Sequence, residues 1–116
     1  MPSVKVKIQL LANNNIAFGP GKADLMEAIQ EKGSISAAAV SMGMSYKRAW
    51  DLVSIMNKNF KHAVIATSVG GGKGGGALVT DFGSQILMQY RAIEAKTSSV
   101  VTDEISDLLL MLVNSE

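Results

Sequence analysis

Residues 34 to 57 constrain the fold more tightly than any other stretch. Ser34-Ile35-Ser36 supplies a polar helix start ahead of the small-residue run Ala37-Ala38-Ala39-Val40-Ser41-Met42, and Gly43 stops it. One residue later Ser45 caps a second helix, Tyr46 to about Asn57, with Ala49, Trp50, Val53 and Met56 as an inward stripe. Its other face carries Lys47, Arg48, Asp51, Ser54 and Lys58. Two helices joined by a three- or four-residue turn containing glycine have the composition of a helix-turn-helix. Small residues in the first helix let it lie close against the second, and Ala39 is the expected point of closest approach.

The flanking segments fit around this pair. Val4 to Leu10 alternates apolar and polar residues, which predicts a half-buried strand. Asn13-Asn14-Asn15 turns the chain, Ile16-Ala17-Phe18 returns as a short strand, and Gly19-Pro20-Gly21 breaks it. A helix follows from about Lys22 to Lys32, with Leu25, Ala28 and Ile29 on one face and Gly33 as its stop. After the pair, Ala63 to Val69 and Ala77 to Thr80 are strand-like on either side of a glycine run containing Lys73, which predicts a hairpin, the wing of a winged helix. Thr80 or Asp81 then caps a helix to about Lys96, with Phe82, Ile86, Tyr90 and Ile93 inward and an interruption at Thr97-Ser98-Ser99. Thr102 is the expected cap of a last helix, in which Ile105, Leu108, Leu109 and Leu112 share a face. The expected fold class is α+β, mainly α: one winged-helix domain over 1–116, with N-terminal strands in 1–20, the core in 21–96 and a C-terminal helix in 97–116.

Charge is segregated along the chain. Between residues 47 and 80, Lys47, Arg48, Lys58, Lys61 and Lys73 stand against Asp51 alone, whereas from Asp81 onward acids outnumber bases by four. A basic block inside a globular chain suits a polyanion, because each phosphate neutralised releases condensed counterions. Other chemistries lack their residues. The chain has no cysteine, and its single histidine, His62, has no Asp or Glu within five residues, so neither a thiolate site nor a histidine relay can be built. No Gly-x-Ser-x-Gly elbow occurs. In the glycine run, Lys73 is followed by Gly74 rather than Ser or Thr and the sixth residue before it is Thr67, against a nucleotide P-loop. Gly70, Gly72 and Gly75 fit the spacing of a dinucleotide fingerprint but lead into a strand instead of a helix. The methionines 42, 44 and 56 and Trp50 sit where helix packing wants apolar bulk. No enzyme activity, cofactor or metal is expected, and with neither a signal core nor a span of membrane length the expected location is the cytosol.

From Gly21 to about Lys96 the chain resembles the N-terminal winged-helix domain of the molybdate-responsive ModE regulators. The resemblance lies in Gly33-Ser34-Ile35-Ser36-Ala37-Ala38-Ala39, in Met44-Ser45-Tyr46-Lys47-Arg48-Ala49-Trp50-Asp51 with Met56-Asn57, and in Gly70-Gly71-Gly72-Lys73-Gly74-Gly75-Gly76-Ala77 running into Leu78-Val79-Thr80-Asp81-Phe82-Gly83. LysR-type regulators share the general helix-turn-helix but not the glycine wing. The ModE resemblance implies transcription regulation by a bacterial homodimer that binds operator DNA, with molybdate-related genes as targets. The candidate DNA-contacting residues are Ser36, Ser45, Tyr46, Lys47, Arg48 and Asp51, with Lys73 on a wing formed by Gly71, Gly72, Gly74 and Gly75. Ile105, Leu108, Leu109 and Leu112 are the candidate dimer contact. ModE regulators continue into a domain that binds molybdate through a Ser-Ala-Arg-Asn motif; this sequence stops at Glu116 without that motif, which leaves molybdate binding doubtful. The alternative function is a winged-helix protein-interaction module that uses its late apolar helix and never touches DNA.

Overall fold

The computed structural model describes residues 3–68 and 75–113. Among them the chain runs β1 (Leu10–Ala12), β2 (Asn15–Phe18), α1 (Pro20–Lys32), α2 (Ile35–Met42), α3 (Tyr46–Asn59), β3 (Ile65–Ser68), β4 (Gly76–Val79), α4 (Asp81–Val100) and α5 (Thr102–Leu110). The architecture is mixed α and β, dominated by helix, with two separate two-stranded antiparallel sheets, β1-β2 and β3-β4.

Local signals place most boundaries. Ser34 accepts a hydrogen bond from the Ala37 amide at 3.0 Å, Ser45 one from Arg48 at 3.0 Å, and Thr80 one from Gly83 at 2.9 Å, so α2, α3 and α4 each begin on a side-chain cap. Gly33 and Gly43 close α1 and α2 with φ of 79° and 67°, a region that costs residues with a Cβ. The turn between β1 and β2 likewise uses positive φ, at Asn13 (53°) and Asn14 (67°).

The core lies where α1, α2 and α3 meet. Ala23, Leu25, Met26 and Ile29 of α1, Ile35, Ala38 and Ala39 of α2, and Ala49, Val53 and Met56 of α3 are buried, and Phe18, Val64, Ile65, Ala77, Leu87 and Tyr90 complete the cluster. Phe18 sits at its aromatic centre, edge-on to Phe60 at 5.7 Å and to Tyr90 at 5.0 Å. Arg91 fastens α4 to α1: its guanidinium reaches Asp24 at 2.7 Å, both oxygens of Glu27 at 2.8 and 3.2 Å, and Glu94 at 2.9 Å. Those hydrogen bonds, with Glu27 the largest contributor, raise the Arg91 pKa above the usual guanidinium value.

Several expectations require correction. The strand expected over Val4 to Leu10 begins only at Leu10, because β2 ends at Phe18 and Pro20 starts α1, so residues 3–9 have no strand to pair with. Thr97-Ser98-Ser99 does not interrupt α4; the Thr97 hydroxyl donates to the Ile93 carbonyl at 2.8 Å, and the helix absorbs it. Thr102 does not cap α5, since its hydroxyl turns back to the Ser98 carbonyl at 2.9 Å and Val101 stands in the cap position without a side-chain bond. Ile93 is exposed instead of inward; the buried residues of α4 are Gly83, Leu87 and Tyr90, all in its first half. Leu112 lies beyond the end of α5. The second half of α4 and α5 therefore stand out from the core. The radius of gyration, 17.2 Å, exceeds the ~13 Å of a compact domain near this length.

Candidate nucleic-acid interface

The exposed side of α3 is organised by helix geometry. Ala49, Val53 and Met56 are buried, which turns Lys47, Asp51, Ser54 and Lys58, one to three turns apart, to the solvent. Lys47 donates to Asp51 across one turn at 3.0 Å, and the side chains remain 84% and 59% exposed. An ion pair in that setting is weak, about 0 to 1 kcal/mol, so Lys47 can exchange Asp51 for an incoming phosphate at little cost.

Arg48 is exposed as well, but it is rotated by about 100° from Lys47 around α3 and lines a cleft shared with residues 5, 7 and 22. Tyr46 lies on the opposite flank, 52% exposed, with its ring edge-on to Trp50 at 6.2 Å. Trp50 is only partly buried: it packs against the core and opens on its other side to a groove of about 540 Å³. That groove brings Ser34 and Ser36 at the start of α2 together with Tyr46 and Trp50 of α3, and with Thr67, Ser68 and Gly75 from the hairpin. Ser36 stays exposed in the first turn of α2, whereas Ser45 contributes its hydroxyl to the α3 cap.

The hairpin is fixed to α3 by a residue to which the sequence reading assigned no role. The Asn57 side-chain oxygen accepts from Val64 N at 2.8 Å and Ile65 N at 3.2 Å, and its amide donates to the Ile65 carbonyl at 3.0 Å. Asn57 thus terminates the β3 backbone as a neighbouring strand would. The signal available was a polar residue directly after Met56, near the buried edge of an amphipathic helix. On the far side, Ala77 N donates to Gly33 O at 2.9 Å, tying β4 to the end of α1. The register Ile65↔Val79, Ala66↔Leu78, Thr67↔Ala77 and Ser68↔Gly76 then carries the hairpin toward its tip. Lys73, Gly71, Gly72 and Gly74 lie outside the described residues; Gly75 is exposed beside β4.

His62 is exposed, with its ring edge-on to Phe82 at 5.1 Å. Among the described residues no group of three His, Cys, Asp or Glu could hold a metal ion, and no helix is long and apolar enough to cross a membrane. Of the candidate dimer residues, Ile105 and Leu109 are half-buried and Leu108 and Leu112 exposed, on the limb that leaves the core.

No protein-family model matches the chain. Curated proteins do. It is 40% identical over 85 residues to the molybdenum transport protein ModE of Azotobacter vinelandii, covering 73% of this chain and 31% of that protein. It is 39% identical over 93 residues to the molybdenum-pterin-binding protein MopB of Rhodobacter capsulatus, covering 80% and 34%. Identity to the DNA-binding transcriptional dual regulator ModE of Escherichia coli K12 is 31% over 103 residues, covering 86% and 39%. The chain is similar to ModE and Mop proteins. It spans about a third of the length of these relatives, whose names describe a molybdenum transport protein, a molybdenum-pterin-binding protein and a DNA-binding transcriptional regulator.

Proposed function

We propose that this chain is a winged-helix DNA-binding domain that recognises operator DNA as a homodimer and regulates transcription. In this reading α2 and α3 are the helix-turn-helix, β3-β4 is the wing, residues 21–96 form the core of a single domain, and α5 supplies the dimer contact. One observation carries the reading: the solvent face of α3 presents Lys47, Ser54 and Lys58 beside a groove whose opposite wall is a hairpin anchored to the same helix by Asn57. A helix of this kind fits the major groove, where its side chains reach base edges while the wing follows the backbone. The name of the Escherichia coli relative supports DNA as the partner, and the molybdenum named in the other two makes molybdate-related genes the targets to examine first.

Tyr46 and Ser54 are assigned to base edges, and Lys47, Lys58 and Lys73 to phosphates. Ser36 takes a phosphate at the start of α2. Ser45 and Asp51 act through the helix, one as its cap and the other as the resting partner of Lys47.

The test is selection of the purified chain against a random duplex pool at physiological salt, beside Lys47→Ala/Lys58→Ala. A palindromic motif enriched by the wild type and lost by the variant is the expected result. No enrichment by a folded protein would overturn the reading in favour of a protein-interaction module. That second reading has its own support in the exposed apolar residues of the α4-α5 limb, Leu108, Leu110, Met111 and Leu112.

A further inference from the structure

A cleft of about 400 Å³ lies on the flank of α3 away from the hairpin. Four cationic side chains line it: Lys5 and Lys7 from the segment before β1, Lys22 from the first turn of α1, and Arg48 from α3. Lys22 is the unusual member. It is 8% exposed, and among the described residues its ammonium donates to one acceptor, the Ile16 carbonyl at 3.3 Å, although it carries three N–H groups. A cation withdrawn from water to this degree is normally neutralised by a carboxylate. The one carboxylate lining the cleft, Asp24, is bonded to Arg91 at 2.7 Å. Burial lowers the Lys22 pKa and the Arg48 charge lowers it further, so the fold holds two like charges near each other. Lys22 also stands at the head of the apolar stripe continued by Leu25, Met26 and Ile29, a position where a purely structural helix would carry an apolar side chain.

We propose that this cleft is a phosphate-binding site in which Lys22 and Arg48 hold the oxyanion and Lys5 and Lys7 close over it from the N-terminal segment. A phosphate group offers Lys22 the acceptors it lacks and neutralises the buried Lys22 and the exposed Arg48 at once. The start of α1 at Gly19-Pro20-Gly21 lines the same cleft and adds its helix-terminal field, with no side-chain cap competing for it. The phosphate can come from a DNA backbone flanking the groove that α3 enters, an arm that rests on the function proposed above, or from free inorganic phosphate, an arm that does not.

Both arms use the full chain and three variants: Lys22→Gln, Arg48→Ala, and Lys5→Ala/Lys7→Ala, the last confined to an exposed segment that cannot unfold the core. In the first arm, potassium phosphate is titrated against potassium chloride at matched ionic strength and amide shifts are followed by NMR. Saturable shifts at Gly21, Lys22 and Arg48, with Thr67 and Ser68 still, and their loss in Lys22→Gln identify a free-phosphate site. In the second arm, duplex affinity is measured against salt. A slope of log affinity on log salt that falls by about one for each cation removed identifies a backbone phosphate. A Lys22 that serves only to hold the Ile16 carbonyl would lower stability in Lys22→Gln and leave both readouts unmoved. Silence in both arms from folded protein overturns the proposal. If the wild type binds no DNA, the function proposed above falls, and the phosphate arm alone decides: saturation upholds the site and silence removes it.

Discussion

Replacing Asn57 with alanine tests how the hairpin is held to α3. The substitution removes three hydrogen bonds, from Val64 N, Ile65 N and to Ile65 O, beside Val64, which is fully buried. A net hydrogen bond is worth about 1 kcal/mol, and a buried amide left without an acceptor costs about 1 to 3 kcal/mol. Asn57 itself is half-buried and water can reach part of the site. The expected loss is therefore about 2 to 3 kcal/mol, which corresponds to a melting temperature lower by about 10 °C for a domain of this size. Asn57→Asp is the informative companion: it keeps the acceptor for both amides, loses the donor to Ile65 O and turns a second acceptor oxygen toward that carbonyl, so about 1 to 2 kcal/mol is expected. Urea unfolding followed by far-ultraviolet circular dichroism measures both, at one protein concentration so that self-association does not shift the comparison. Amide exchange should accelerate in 64–68 and not in α1. A loss below about 0.5 kcal/mol for Asn57→Ala, or equal losses for the two variants, would refute the assignment of Asn57 as the strand terminator.

Gly83→Ala should destabilise despite alanine's helix propensity, worth about 1 kcal/mol. Its Cβ would collide with the Val64 carbonyl, which Thr80 N holds at 3.0 Å, and come within 3.0 Å of the Val79 side chain, so a loss of about 1 to 3 kcal/mol is expected in thermal melts. Tyr90→Phe removes the 2.7 Å bond from the Tyr90 hydroxyl to the Ile8 carbonyl, at a cost of about 1 kcal/mol, and should speed proteolysis within residues 3–9. Burial, then the Glu94 charge, raises the Tyr90 pKa above 10.0, so its stabilising contribution is complete below about pH 10 and is lost as pH rises through the higher folded value; Tyr90→Phe should flatten that alkaline slope. Leu108→Glu/Leu112→Glu should leave circular dichroism unchanged and yield a monomer in sedimentation equilibrium, while an unchanged sedimentation mass would remove α5 from the proposed dimer contact.

What local chemistry specifies was legible in the sequence. Ser34, Ser45 and Thr80 cap helices because a hydroxyl can reach an amide three residues on, and Gly33 and Gly43 end them because positive φ is cheap only without a Cβ. The same kind of signal located the returning strand after the asparagine turn and the two strands of the hairpin. What depends on contact between distant segments was not legible. Alternation in residues 4–10 expressed a preference for extended chain, but a strand needs a partner, and β2 is too short to give one beyond Leu10. A run of Thr and Ser looked like a break in α4, yet back-bonding to the preceding turn keeps it helical. Lys47 and Arg48 are adjacent in sequence and both exposed, and only the packing of Ala49, Val53 and Met56 decided that one lies beside Lys58 while the other lines the cleft with Lys22. The sequence by itself determined where α1 and α2 stop, where α2, α3 and α4 start, and that cations gather in the middle of the chain. The tertiary structure decided which of those cations share a surface, because burying one face of a helix fixes the direction of every other.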